Sequence, residues 1–312
     1  MRCLAISGGV GGAKLALGLA KLLSPEQLSI VGNTGDDFDH LGLKICPDLD
    51  TVMYTLAELS NKELGWGQEG ETWHFLEALE RIGGESWFRL GDRDMATHIQ
   101  RTELLRQGVS LSAATETLCK KLNVDHPIIP MTDDQVATKV HVRSGEVLAF
   151  QHYFVRDRCQ PEVTGFEFEG MDTAEPTKGL MDVLTGELDC ILICPSNPFV
   201  SVDPVLKLNG VEDSFNSNAA AVIAVSPIIG GQAIKGPAAK MMAELGMPQT
   251  ALGVAQHYAG RIDGFVIDEA DAAMQTDIEQ LGMKCLVTKT LMISLQDRMD
   301  LAQQCLTFSK DI

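Results

Sequence analysis
The residues best placed to do chemistry stand near the start of the chain, in Ser7-Gly8-Gly9-Val10-Gly11-Gly12-Ala13-Lys14. An apolar run, Arg2 to Ser7, leads into them, and a helical pattern, Lys14 to Ala20, follows. Glycines between a strand and a helix permit tight turns and close approach of a ligand, and the N–H groups of a first helical turn attract anions. Gly8, Gly9, Gly11, Gly12 and Lys14 are therefore candidate phosphate contacts. The spacing is not that of a Walker A loop, which needs a glycine directly before the lysine and Ser or Thr directly after it. It also departs from G-x-G-x-x-G, because Lys14 holds the third glycine's place. The second apolar run ends in Gly32-Asn33, not in an acid that could grip an adenosine ribose, so an ordinary dinucleotide site is not expected. A purely structural glycine turn is the alternative.

A second group is acidic. Gly35-Asp36-Asp37-Phe38-Asp39-His40 and Pro47-Asp48-Leu49-Asp50-Thr51 set carboxylates beyond the second strand, where they could ligate Mg²⁺ beside a phosphate. Helix capping by Asp50 ahead of Thr51 to Leu59, with a solvated turn at Asp36 and Asp37, accounts for the same residues. Arg89, Arg93 and Arg101, around Leu90-Gly91-Asp92-Arg93-Asp94, are unusual company in an acidic chain. Guanidinium suits phosphate oxygens or flat polar rings, and surface salt bridges to Asp92 or Asp94 are the alternative. Three further segments follow apolar runs and are expected on a binding rim. They are Pro130-Met131-Thr132-Asp133-Asp134, Cys194-Pro195-Ser196-Asn197-Pro198, and Ser226-Pro227-Ile228-Ile229-Gly230-Gly231 with Lys235-Gly236-Pro237. Ser196, Asn197 and Gly230 are the candidate contacts there, although turn chemistry explains such residues too. The seven histidines show no metal-ligand spacing and are expected to be structural or exposed. No G-x-S-x-G elbow supports a hydrolytic triad.

Loops of this kind need a sheet to converge on. Buried runs at Arg2 to Ser7, Leu28 to Val31, Cys190 to Ile193, Ala221 to Val225, Phe265 to Ile267 and Cys285 to Val287 alternate with helical segments. Near-continuous hydrophobic strands of this sort predict an α/β fold, a Rossmann-like, doubly wound and mostly parallel sheet. From about Asp50 to Leu122 the periodicity is helical, with Val52, Leu56 and Leu59 on one face and Phe75, Leu79 and Ile82 on another. The expected organisation is a nucleotide-binding core of residues 1–46 and 125–312 around a helical insertion, 47–124. Val136 to Val142 and Glu146 to Phe154 are expected to form a hairpin. A net charge of −18 excludes a nucleic-acid-binding surface, though not a local backbone-lined phosphate pocket. No apolar stretch is long enough to span a membrane, and scattered cysteines without metal spacing fit a reducing compartment, so the cytoplasm is expected.

Taken in order, the segments resemble the 2-phospho-L-lactate transferase family almost from end to end. The resemblance is carried by Ser7 to Leu15, Pro47-Asp48-Leu49-Asp50-Thr51-Val52, Leu90 to Ile99, Pro130 to Asp134, Pro195-Ser196-Asn197-Pro198 and Ser226 to Gly231. It implies an Mg²⁺-dependent transfer of a phospholactyl-type group (lactyl, enolpyruvyl or glyceryl phosphate) in coenzyme F(420) biosynthesis. The donor would be activated by guanosine diphosphate, the acceptor would be a hydroxyl of the deazaflavin Fo, and GMP would leave. The resemblance further implies that Asp50 and Arg89 contact Fo, with Asp50 orienting the hydroxyl or holding the metal. Trp66 and Trp73 are candidates to hold the flat ring, and a homodimer is expected. A related group with the same glycine loop and fold consists of non-catalytic regulators of carbon metabolism that bind nucleotide sugars. Pro47 to Asp50 and Leu90 to Asp94 follow the transferase pattern and separate the two.

Overall fold
The computed structural model describes residues 1–234 and 236–312; Lys235, one of the expected rim residues, lies outside them. Seven strands form one all-parallel sheet in the spatial order Lys284–Thr288, Gly264–Asp268, Ala221–Val225, Cys190–Ile193, Cys3–Ser7, Leu28–Gly32 and Ile128–Pro130. The chain starts near the middle, steps outward through Leu28–Gly32 to Ile128–Pro130, then returns and steps outward the other way. The direction reverses between Cys3–Ser7 and Cys190–Ile193, which pair in register from Cys3↔Cys190 to Ile6↔Ile193. Loops leaving two strands at such a point diverge to opposite faces, and the crevice left between them is where doubly wound sheets bind ligands.

Strand alternation divides the interior into two layers. Leu4, Ile6, Val31, Ile191 and Ile193 face one side, against Leu180, Val205, Val254 and the three-stranded antiparallel sheet formed by Ala137–Val142, Val147–Ala149 and Val163–Glu169. Cys3, Ala5, Leu28, Ile30 and Leu192 face the other, against the helices Gly9–Ala20, Pro47–Leu56, Leu111–Lys121 and Leu295–Phe308. Helices dominate the stretch after Cys46, adding His74–Arg81 and Asp92–Arg106, and Leu49, Val52, Leu111 and Leu118 share the second layer with the sheet. All eight cysteines are free, and all but Cys159 are buried. Among the described residues no helix is long and apolar enough to cross a membrane.

Three expectations are corrected. The hairpin's second strand is only Val147–Ala149; beyond it Phe150, Gln151 and Tyr153 are buried, a spacing that a strand cannot supply, and His152–Arg156 form a π-helical turn. The face of Phe75, Leu79 and Ile82 does not enter the core: Ile82 is 82% exposed, and Leu76 is the buried residue of that helix. Asp50 is not an N-cap. Its helix begins three residues earlier at Pro47, because proline at the first helical position lacks an N–H that would go unpaired anyway.

The first helix lies against the C-terminal one at a glycine. A Cβ on Gly18 would overlap the carbonyl oxygen of Arg298, which is backbone and cannot rotate away. In an ordinary helix interior Gly→Ala gains about 1 kcal/mol. Here Gly18→Ala is expected to lose about 1–3 kcal/mol instead, as in an overpacked core. Urea denaturation measures the sign, and a stabilised variant would show that the helices part without cost.

Candidate functional site
The crevice at the reversal point opens into a cavity of about 610 Å³. One end is the glycine loop. Gly8 caps the first helix in extended conformation, and Gly9 has a φ of +63°, which favours glycine. Ser196 locks this loop to the neighbouring strand's loop: its hydroxyl accepts from Gly8 N–H at 3.1 Å and donates to Gly8 C=O at 2.9 Å. A Cβ on Gly11 would run into the Pro195 carbonyl, so this glycine is required by the approach of the two loops. Gly9 N–H is taken by Asp48 Oδ1 at 2.6 Å. The next first-turn amides, Val10 and Gly11, lack intrahelical partners and lie in the cavity wall with Lys14, whose Nζ donates to Met292 C=O at 3.1 Å.

Beneath the loop lies an acidic floor that the sequence could equally have placed in a solvated turn. Asp36, Asp37, Asp48 and Asp50 are all buried, whereas Asp39 is exposed. Asn33 Nδ2 donates to Asp36 Oδ1 at 2.6 Å and to Asp48 Oδ2 and Val200 C=O, both at 3.2 Å, tying the end of the second strand to the acids. Burial, with repulsion from Asp48 and Asp37, pushes Asp36 well above the carboxylate range. Burial lifts Asp48 to about 6 against the bonds from Asn33 and Gly9, and it lifts Asp37 to about 7. Neither Asp37 oxygen meets a hydrogen-bond donor in good geometry among the described residues.

No three His, Cys, Asp or Glu side chains among the described residues converge as a ready metal cage. Mg²⁺ does not need one, because it is held by one or two carboxylates together with water and substrate phosphate. Under-paired, mutually repelling carboxylates beside a phosphate-type loop fit that demand.

Asp50 is held differently. Arg101, 1% exposed, grips it with both terminal nitrogens, Nη1 to Oδ2 at 3.0 Å and Nη2 to Oδ1. His98 lies alongside, Nδ1 at 3.6 Å from Asp50 Oδ2 and Nε2 at 3.3 Å from Asp94 Oδ1. Tyr54 OH donates to Asp94 Oδ1 at 2.6 Å. Burial pushes Asp94 upward, but His98, Tyr54 and Arg101 outweigh it and hold the carboxyl below its ordinary range. Asp50, Asp94, His98 and Tyr54 all line the cavity.

The far end is aromatic. Trp66, Trp87, Phe88, Arg89 and Phe154 line it. Trp73 stands behind them, its ring 6.2 Å from that of Trp66 and 4.4 Å from the Arg89 guanidinium. Trp87 is fixed edge-on against His40 and His152, with ring centroids 5.2 and 4.8 Å away.

The cavity thus gathers Gly8, Gly9, Gly11, Lys14, Asp50, Arg89, Ser196 and Asn197, and does not reach Gly12 or Gly230. Gly12 packs on Ser7 and Ser196, and Gly230 N–H donates to Asp271 Oδ2 at 3.0 Å. Asn197 spends its Oδ1 on Phe199 N–H at 3.0 Å. Thr132 and Asp133 leave the rim altogether, bonding Glu175 C=O and Ser112 at the sheet edge. Arg101 pairs with Asp50, not with the aspartates of its own helix. Sequence reasoning missed Asn33, Tyr54, Trp87 and His98; an Asp94-x-x-x-His98 spacing, four residues apart on one helix, was the available signal for the last.

Comparison with known proteins follows the same outline. The profile of the family described as 2-phospho-L-lactate transferase CofD matches residues 3–291. A phosphoenolpyruvate transferase of Streptomyces coelicolor is 40% identical over 317 residues, covering 100% of this chain and 99% of that protein. A 2-phospho-L-lactate transferase of Methanosarcina acetivorans is 39% identical, covering 96% of each. Among solved structures, a member of the UPF0052 family from Bacillus halodurans superposes with a TM-score of 0.63 over 98% of each chain, and at 14% identity it bears on the fold alone.

The raised carboxyls have a consequence for stability. Asp48 and Asp37 keep protons in the folded protein at a pH where the unfolded chain has released them. Ionising them in place is unfavourable, so stability is greatest toward the acid side of their window and falls as pH rises from about 4 to about 7. The Tm of the ligand-free protein is expected to fall between pH 5 and pH 7.5, and Asp37→Asn to flatten that decline. A Tm that rises across this interval in the wild type would show these carboxyls to be ionised throughout.

Proposed function
Because the chain belongs to the 2-phospho-L-lactate transferase CofD family, we propose that its cleft joins a guanosine diphosphate-activated three-carbon acid to Fo. The chain is an enzyme, a transferase of coenzyme F(420) biosynthesis. The observation that supports the site assignment is the single cavity running from the first-turn amides at Val10 and Gly11 to the aromatic end at Trp66 and Trp87. One end suits a diphosphate and the other a flat, partly polar ring.

In this reading the ribityl hydroxyl of Fo attacks the phosphorus that bears the acid, the P–O bond to GMP breaks, and the departing phosphate takes up the hydroxyl's proton. Transfer of this kind depends on alignment and charge stabilisation more than on covalent help. The amides of Val10 and Gly11 and the ammonium of Lys14 stabilise phosphate charge. Asp50 accepts a hydrogen bond from the attacking hydroxyl and aims it. Mg²⁺ held by Asp36 and Asp48, with Asp50 next along the helix, would neutralise charge on the diphosphate. Trp66 and Trp87 hold the ring, and Arg89 meets its polar edge. Seven buried, unpaired cysteines accord with a cytoplasmic setting.

The acid itself is decided by experiment. Incubation with Fo, Mg²⁺ and each guanylated acid (lactyl, enolpyruvyl and glyceryl) is expected to give GMP and a product heavier than Fo by one phospho-acid unit. Mass spectrometry identifies which acid is taken. No adduct with any of the three would overturn the reading. Arg89→Ala is expected to weaken Fo binding about ten- to a hundredfold in a fluorescence titration, the loss typical of a hydrogen bond to a charged group. GDP affinity is expected to stay unchanged, since the glycine loop lies at the other end.

A further inference from the structure
We propose that Arg101 and His98 are positioning residues of the transfer, acting through Asp50 to fix the direction in which its carboxylate meets the acceptor hydroxyl. The proposal rests on the reading of this cleft as the Fo site.

Arg101 is the largest fully buried side chain among the described residues, and its fork is spent on Asp50. A bidentate guanidinium sets the plane of a carboxylate as well as its charge. Such a pair is a poor device for stability alone, because well-packed apolar residues do as well or better in its place. It gains meaning from the fact that Asp50 lines the cavity while Arg101 stands behind it.

His98 completes the support. Its Nδ1 is 3.3 Å from Arg101 Nη1. Arginine has only donors, so Nδ1 accepts, and the ring proton sits on Nε2, facing Asp94. Asp94 is in turn fixed by Tyr54 OH. The side chains of Tyr54, Asp94, His98, Arg101 and Asp50 thus stand in contact in that order, ending on the carboxylate in the cavity wall. With both oxygens held by Arg101, Asp50 meets the acceptor hydroxyl with a carboxylate whose plane is fixed.

Steady-state kinetics with Fo and the preferred donor, alongside Tm, tests this. Arg101→Lys keeps the charge and loses the fork. It is expected to lower kcat about ten- to a hundredfold while the donor KM stays within about twofold. In an Asp50→Asn background the same change is expected to add nothing further. His98→Leu, which leaves Asp94 the hydroxyl of Tyr54, is expected to lose kcat as Arg101→Lys does, and His98→Asn, which offers an acceptor near the Nδ1 position, to recover most of it. Wild-type kcat in His98→Leu, or losses from Arg101→Lys and Asp50→Asn that multiply, would overturn the proposal; an Arg101→Lys protein that does not fold leaves the two His98 variants to decide. Absence of product with the wild-type enzyme would instead overturn the reading of the cleft.

Discussion
A carboxylate removed from water must find a donor, a cation or a proton, and the architecture of this cleft follows from how its aspartates meet that demand. Asp50 takes the one fully buried arginine. Asp94 takes a tyrosine hydroxyl and a histidine. Asp48 takes the amide of Gly9 and shares Asn33 with Asp36, while Asp37 is left with its proton. Each solution ties two elements together. Asp48 fixes the second helix to the mouth of the first, Asn33 binds the second strand to both acidic segments, and Arg101 pulls the helix Asp92–Arg106 onto Pro47–Leu56. Remove one partner of the Arg101–Asp50 pair and the other is stranded, a loss on the order of 3–5 kcal/mol.

Much of the fold was legible because it rests on local pattern. Apolar runs of three to six residues, punctuated by glycine and proline, marked the main parallel strands, and the glycine loop announced the first strand–helix junction. The edge strand Ile128–Pro130 is three residues long and carries a proline, too short and too irregular to stand out as a strand. The π-helical turn at His152–Arg156 begins with β-like alternation and is turned by the burial of Phe150 and Tyr153, a tertiary effect that no local rule contains. The strand order, with its reversal at Cys3–Ser7 and Cys190–Ile193, was implied only through the kind of fold expected.

Gly8, Gly9, Gly11 and Asp50, which line the cavity, stood out because a glycine loop and a cluster of carboxylates are patterns of local spacing. Arg89 stood out as a cation in an acidic chain, and resemblance gave it a role. What stayed hidden depends on long-range pairing. Arg101 lies 51 residues from Asp50, and on a helical wheel it looks like a solvated cation. Asn33 stood out only as the end of an apolar run, because its bonds go to two acids brought under it by later folding. Ser196 and Asn197 showed the converse: correctly placed on the cavity wall, they already have partners in Gly8 and Phe199.

The contact of Gly18 with Arg298, and of Lys14 with Met292 across 278 residues of chain, bears on how the protein is made. The glycine-loop helix is synthesised well before the segment that supplies one of its walls. At about 5–20 residues per second that interval is on the order of tens of seconds. Throughout it the central strand Cys3–Ser7 also waits for Cys190–Ile193, and contacts of such long range form slowly. During translation, then, Leu15 and Leu19 belong to an apolar helix without its cover, which needs shielding until the ribosome has supplied its partners.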